Sequence, residues 1–229
     1  MKPGHNMATS LNDEVRLYRE INQYMASNKY EKIQCMSCHY QCELYPWTTI
    51  KMMGCLESKY CLWPDKNMYM KYGAQQILMN ARYMLLHTGL IYVDFSRYNI
   101  RLFTNRKWID YLTKTGLRLV LIADRFTQPL ALYWKKNCRN IMSVVYASDS
   151  DNEIEKKIQL HFLGQRDGKV YSPALNENEV RVFELLIKEK TVSQIADEMS
   201  FPEKKIYAIK LSLQNKMGGR GKLNIILAG

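Results

Sequence analysis

No apolar run in this chain approaches the roughly 20 residues that a membrane-spanning helix needs. The longest, such as Leu119–Ala123, have the length of a core strand. A secretory leader is not expected either, because Met1–Ser10 is short and polar. Low-complexity tracts and internal repeats are missing. Histidine is scarce: His5, His39, His87 and His161 lie far apart, with no Ser or Asp at catalytic spacing and no glycine loop to cradle a phosphate. A thiol enzyme using Cys35 and Cys38 would need a thioredoxin-like frame that the flanking residues do not supply. These absences argue for a cytoplasmic protein without a membrane span and without a catalytic site. Acidic residues are also in deficit: 33 Lys and Arg against 22 Asp and Glu give a net charge of +11. At 229 residues and 47% hydrophobic content, the chain has room for one medium domain and one small one.

The segment from Leu175 onward is the most informative. Asn176 and Glu179 have capping-box spacing, and Val182, Phe183, Leu185 and Leu186 follow as an apolar stripe. Thr191 and Gln194 repeat the box and open a shorter helix whose apolar face is Ile195, Ala196 and Met199. Ser200-Phe201-Pro202 breaks that helix, since proline disfavours helical backbone at the residue before it. In a third helix Ile206, Ile209, Leu213 and Met217 form one buried stripe, and the opposite side offers Lys204, Tyr207, Ala208 and Leu211 with Lys205 and Lys210 beside them. From Glu203 to Lys222 there are six cations and one anion. A compact helical unit with one basic helix suits the DNA major groove.

On these residues the segment resembles the LuxR/FixJ-type helix-turn-helix, and it aligns without a gap from Leu175 to about Ala228. The matching positions are Leu175, Glu179, Val182, Leu185, Leu186, Ile195, Ala196, Met199, Ile206, Leu213, Lys216 and Gly218. The resemblance implies a scaffold helix over Val192–Met199 and a recognition helix over Glu203–Met217. It implies double-stranded promoter DNA as the partner, contacted through Ser193, Glu203, Lys204, Lys205, Tyr207, Ala208, Lys210, Leu211 and Lys216. The chain departs from the pattern where Glu189 replaces a glycine, Pro202 a capping serine, and Lys205 and Ile209 a threonine and a histidine.

In the middle, the pattern alternates. Helices are expected over Gly73–His87, Lys107–Thr115, Gln128–Asn137 and Asp151–Leu163, the last with Ile154, Ile158 and Phe162 inward. Strands are expected over Leu90–Phe95, Leu117–Ala123 and Met142–Ala147. Short buried strands alternating with helices imply a parallel sheet covered on both faces. Ahead of a helix-turn-helix, this layout resembles the receiver of two-component response regulators, with Asp94 at the phosphoacceptor position. Phosphoryl transfer there also needs an acidic pair for Mg²⁺, a Thr or Ser ending the next strand and a Lys ending the last; Ala123 and Ala147 stand in those strand-end places. The expectation is a degenerate receiver, not controlled by phosphorylation, that assembles a homodimer or a heterodimer with another response-regulator-type protein. Tyr72–Ala81, Leu119–Ala123, Leu132-Tyr133-Trp134 and Val144–Ala147 further resemble enterobacterial regulators of fimbria and pilus expression.

The N-terminal third carries an amphipathic pattern over Asn12–Lys29, then Cys35, Cys38, Cys42, Cys55 and Cys61. These five are candidate ligands for Zn or an iron–sulfur cluster, although a second C-x-x-C is missing and the apolar neighbours suit a packed core. The fold expected is thus a helical, Cys-rich extension (1–67), an α/β receiver-like domain with a doubly wound parallel sheet (68–168), and an all-α LuxR-type helix-turn-helix domain (169–229).

Overall fold

The computed structural model describes residues 32–37, 42–44, 60–64, 66–73, 89–146, 148–162, 173–219, 221 and 223. Its centre is a sheet of six strands: β1 (Ile33–Cys35), β2 (Glu43–Leu44), β3 (Tyr60–Trp63), β4 (Leu90–Phe95), β5 (Arg118–Ala123) and β6 (Ile141–Tyr146), in the order β2-β1-β3-β4-β5-β6. Strands β3 to β6 run parallel, with Tyr60 beside Leu90 and Leu90 beside Arg118. Every residue of β4 is buried, as expected for a parallel strand covered on both faces.

Alternation along the strands divides the core in two. On one face Tyr60, Leu62, Leu90, Tyr92 and Val120 pack with Ile154 of helix α3 (Asp151–Phe162). The other face meets α1 (Lys107–Thr113) and α2 (Gln128–Asn137) through an aromatic cluster. There Phe95 stacks on Phe103 at 4.0 Å, Trp63 lies parallel to Trp108 at 6.4 Å, and Trp108 meets Trp134 edge-on at 6.1 Å. Trp134 also donates its indole N–H to the Phe103 carbonyl at 2.9 Å, so its polar atom is satisfied inside the core. A 3-10 helix, Arg97–Leu102, leads from β4 into this cluster.

The sheet corrects two expectations. It is mixed, because β1 pairs antiparallel with both β2 and β3. It also draws three strands from the region expected to be a helical extension up to residue 67, so the sheet runs across that boundary. Those strands were hard to read because they are only two to four residues long and carry no alternation over enough positions to count. The expected helix Asn12–Lys29, and Gly73–His87 beyond its first residue, lie outside the described residues, as do the side chains of Ile158 and Phe162. Ile154 is buried as expected.

Beyond the sheet, α4 (Glu177–Ile187), α5 (Val192–Met199) and α6 (Glu203–Lys216) pack on one another around Val182, Leu185, Ile195, Ala196 and Ile206. The Leu175 N–H donates to the carbonyl of Pro129, at the start of α2, at 3.0 Å.

Candidate nucleic-acid interface

Each helix of the C-terminal unit starts and stops for a local reason. The Asn176 side chain accepts from the Glu179 N–H at 2.9 Å while Glu179 accepts from the Asn176 N–H at 2.7 Å, a closed capping box. Thr191 and Gln194 close the second box on α5. At the other ends, α4 and α5 stop through the same pair of bonds. Lys190 N–H reaches back to Leu185 and Glu189 N–H to Leu186; Phe201 N–H reaches Ala196 and Ser200 N–H reaches Asp197. That geometry needs one left-handed residue, and it falls on Glu189 (φ 61°) and Ser200 (φ 53°). Helix α6 ends with the Gly219 N–H reaching back to the Gln214 carbonyl over a left-handed Gly218 (φ 93°), a conformation glycine adopts freely. At its start α6 has no side-chain cap, since Pro202 offers none.

These ends fix how α6 presents its sides. Ile206, Leu213 and Met217 are fully buried against α4 and α5. On the opposite side Lys204, Tyr207, Ala208 and Leu211 are exposed, at i, i+3, i+4 and i+7, a continuous stripe. Tyr207 is 57% exposed and Leu211 51%, although both are large and apolar. Ser193 on α5 and Glu203 at the α6 start are exposed as well, and Lys210 is half-buried at the flank. Lys205 is exposed with its ammonium 3.3 Å from the centre of the Phe201 ring, a cation–π contact.

Lys216 stands apart from the others. Its ammonium donates to Glu179 Oε2 at 2.8 Å and to the Ala174 carbonyl at 3.0 Å, and Ser212 Oγ donates to Glu179 Oε1 at 2.7 Å. One carboxylate, 2% exposed, thus closes the α4 cap and clamps the far end of α6. Burial pushes the Glu179 carboxyl up, but the hydrogen bonds from Lys216, the Asn176 N–H and Ser212 together outweigh it and hold it below the usual carboxylate range. This clamp links residues far apart in sequence, and only its capping half could be read from spacing. Between α4 and α5, Arg181 joins Glu184 at 2.7 Å and Glu198 at 2.6 Å, with Lys188 on Glu184 and Lys190 on Glu198.

At the carboxyl ends of the parallel strands, where open α/β sheets place their ligands, Asp94 is buried. Its Oδ1 accepts from the Ser96 N–H at 3.2 Å, and its carbonyl accepts from Asn99 Nδ2 at 3.1 Å. Burial is the main influence and raises the carboxyl; hydrogen bonds from Ser96, Asn67 and Asn99 oppose it without cancelling it. Among the described residues, the groups around Asp94 are amides and a hydroxyl. At the end of β5, Asp124 accepts from the Phe126 and Thr127 N–H groups and from the Arg97 N–H, while Thr127 Oγ1 donates to the Phe95 carbonyl at 2.6 Å, stitching β4 to α2.

Of the five candidate metal ligands, Cys35, Cys42 and Cys61 are described, and Cys38 and Cys55 lie outside the described residues. Among the described residues no group of three or more His, Cys, Asp or Glu is placed to hold a metal ion. No helix among them is long and apolar enough to cross a membrane.

The profile described as the EcpR N-terminal domain matches residues 34–162, from β1 to the end of α3. An Escherichia coli K12 protein described as the uncharacterized protein YqeH is 30% identical over 193 residues, covering 84% of this chain and 92% of its own. The Vi polysaccharide biosynthesis protein TviA of Salmonella typhi is 21% identical over 168 residues, covering 72% of this chain and 93% of its own. Among solved structures, the two-component response regulator RcsB in its DNA complex is 15% identical with a TM-score of 0.41, covering 72% of this chain and 95% of that one. A likeness that distant transfers no function.

Proposed function

Since the chain belongs to the EcpR N-terminal domain family and sets a helical unit after that domain, we propose that it is a cytoplasmic, non-enzymatic regulator of transcription that lays Glu203–Met217 in the major groove of promoter DNA. The carrying observation is the exposed Lys204–Tyr207–Ala208–Leu211 stripe, opposite a side sealed into the helical core. A helix held on one side and bare on the other, with cations along it, matches the shape and charge of the groove. The LuxR/FixJ-type resemblance of the same residues supports this reading. Fimbria gene expression is the regulated process that the enterobacterial likeness favours.

In this reading the sheet domain assembles the regulator, as a homodimer or with another response-regulator-type protein, and phosphorylation does not control it. Among the described residues, the amides and hydroxyl around Asp94, with Ala123 ending β5, leave little to hold a divalent ion or to offset phosphoryl charge. Lys216 acts as a positioning residue, since its ammonium is committed to Glu179.

A second reading rests on Tyr207 and Leu211. Two large apolar side chains this exposed also suit a protein partner, so that DNA is reached only as a joint complex. Binding of the purified chain to its own promoter region and to unrelated DNA, across a salt series, separates the two. Direct readout predicts promoter preference that a Lys204→Ala/Tyr207→Ala variant loses. Equal, weak and steeply salt-dependent binding to both DNAs sinks it.

A further inference from the structure

The sheet aligns three cysteines in one row. Ile33 faces Leu44 and Gln34 faces Glu43, which continues the ladder to Cys35 facing Cys42, and the Cys35 N–H donates to the Cys42 carbonyl at 2.8 Å. On its other side Cys35 lies directly opposite Cys61. Directly opposed residues share a face of the sheet, so Cys42, immediately before β2, Cys35 in β1 and Cys61 in β3 follow one another across the sheet. In an antiparallel ladder, a residue bonded to one neighbour forms the closer, non-bonded pair with the other. The Met36 N–H to the Tyr60 carbonyl, at 2.7 Å, marks the bonded pair one residue along and leaves Cys35 and Cys61 as the close pair.

The spacing selects the chemistry. Such close pairs have Cα atoms about 4.5 Å apart and bonded pairs about 5.5 Å; disulfides span about 4.4 to 6.8 Å. Cys42 and Cys61, at the ends of the row, are then roughly 10 Å apart. That is too far for both to reach one zinc ion at about 2.3 Å each. A straight row suits chemistry between neighbours. Burial orders it, since Cys42, next to the β2 strand, is half-buried while Cys35 and Cys61 are 4% and 0% exposed.

We propose that Cys35 and Cys61 form a reversible disulfide, entered through Cys42 by exchange with a small-molecule disulfide such as oxidised glutathione. The Cys42 thiolate attacks that disulfide, its S–S bond breaks and one glutathione thiol leaves. Cys35 then displaces the second glutathione and makes a Cys35–Cys42 bond. Cys61 attacks the Cys35 sulfur, closing Cys35–Cys61 and returning the Cys42 thiol. Two protein thiols are oxidised and one glutathione disulfide is reduced to two thiols, so electrons and protons balance. Among the contacts given up is the weak bond from Cys35 Sγ to Ser37 Oγ, 3.6 Å long. The product fastens the β1–β2 edge to the sheet.

The test is to equilibrate the full chain in glutathione buffers from reduced to oxidised, quench with acid, alkylate and map the tryptic peptides by tandem mass spectrometry. Trypsin places Cys35 in peptide 33–51, Cys55 in 52–59 and Cys61 in 60–66. The expected product is peptide 33–51 joined to 60–66 with fragment ions locating the bridge at Cys35, reversed by dithiothreitol. Cys42→Ser should reach the same product several-fold more slowly, and Cys61→Ser should stop at a bridge inside peptide 33–51. In urea, where register is gone, the bridge should scatter over the chain's six cysteines. No link in the most oxidised buffer, a link through Cys38 or Cys55, or the same pattern in urea would overturn the pair; an unchanged rate in Cys42→Ser would overturn its entry role.

Discussion

Asp94 in the sheet and Glu179 in the helical unit are both nearly sealed from water, and their surroundings push their carboxyls in opposite directions. Glu179 meets an ammonium, a hydroxyl and a backbone N–H, enough to favour its charge over the cost of burial. Among the described residues Asp94 meets neutral donors, and burial prevails. The lesson is about what each region requires of its acid. The helical unit uses a charge to hold α6 in place, whereas the sheet would be more comfortable with Asp94 neutral.

The sharpest way to break the contrast is Glu179→Ala. It opens the α4 capping box and leaves a poorly exposed Lys216 ammonium without its counter-charge, at a cost of about 3 kcal/mol. Urea unfolding followed by circular dichroism would register it; a loss near that of an exposed ion pair, below about 0.5 kcal/mol, would show that the clamp is incidental.

Acid should come next, and the two regions should answer it with opposite signs. The depressed Glu179 contributes stability above its unfolded value of about 4.3, lost as pH falls through the lower folded value. The raised Asp94 costs stability that sets in as pH climbs from about 3.9 through the higher folded value, and acid relieves it. Amide hydrogen exchange followed by region from neutral pH to about 2.5, below the ordinary carboxylate range, should therefore show the helical unit loosening before the sheet. Loosening of the sheet first would reverse the assignment.

Smaller again is Asp94→Asn, which removes a buried charge whose partners among the described residues are neutral and should raise stability at neutral pH by about 1 kcal/mol. Calorimetry at neutral and acid pH checks it: the gain should shrink in acid, and a gain independent of pH would point to another cause. Smallest is Glu189→Gly, which relieves a left-handed backbone at the α4 end and should add somewhat under 1 kcal/mol. Thermal unfolding of the two chains would show it, and a neutral or negative change would mean that the Glu189 backbone carries no cost.

Much of this was legible in the residues. Val192–Met199, Gln128–Asn137 and Leu90–Phe95 run as periodicity and capping spacing predict, and both capping boxes close on the residues that spacing named. The substitution of Glu189 for glycine was visible too, although its left-handed backbone emerges only in the fold. What could not be read depends on distance in sequence. Lys216 fits the charge pattern of a phosphate contact, and only folding brings it to Glu179. Likewise the row of Cys35, Cys42 and Cys61 depends on strand register, which spacing along three short segments does not encode. The stripe Lys204, Tyr207, Ala208 and Leu211 lies between these cases: its exposure followed from the helical period, and what it touches is a matter for binding experiments.

The aromatic cluster has a practical consequence. The chain's tryptophans are Trp47, Trp63, Trp108 and Trp134, and none follows residue 134. Three of them belong to the face of the sheet covered by α1 and α2. Intrinsic fluorescence excited at tryptophan therefore carries no emitter from the helical unit. Melting of α4, α5 and α6 on their own would pass unseen in that channel while ellipticity falls. The molecule carries a built-in optical label for one of its two parts, and the difference between the two signals measures how tightly the parts unfold together.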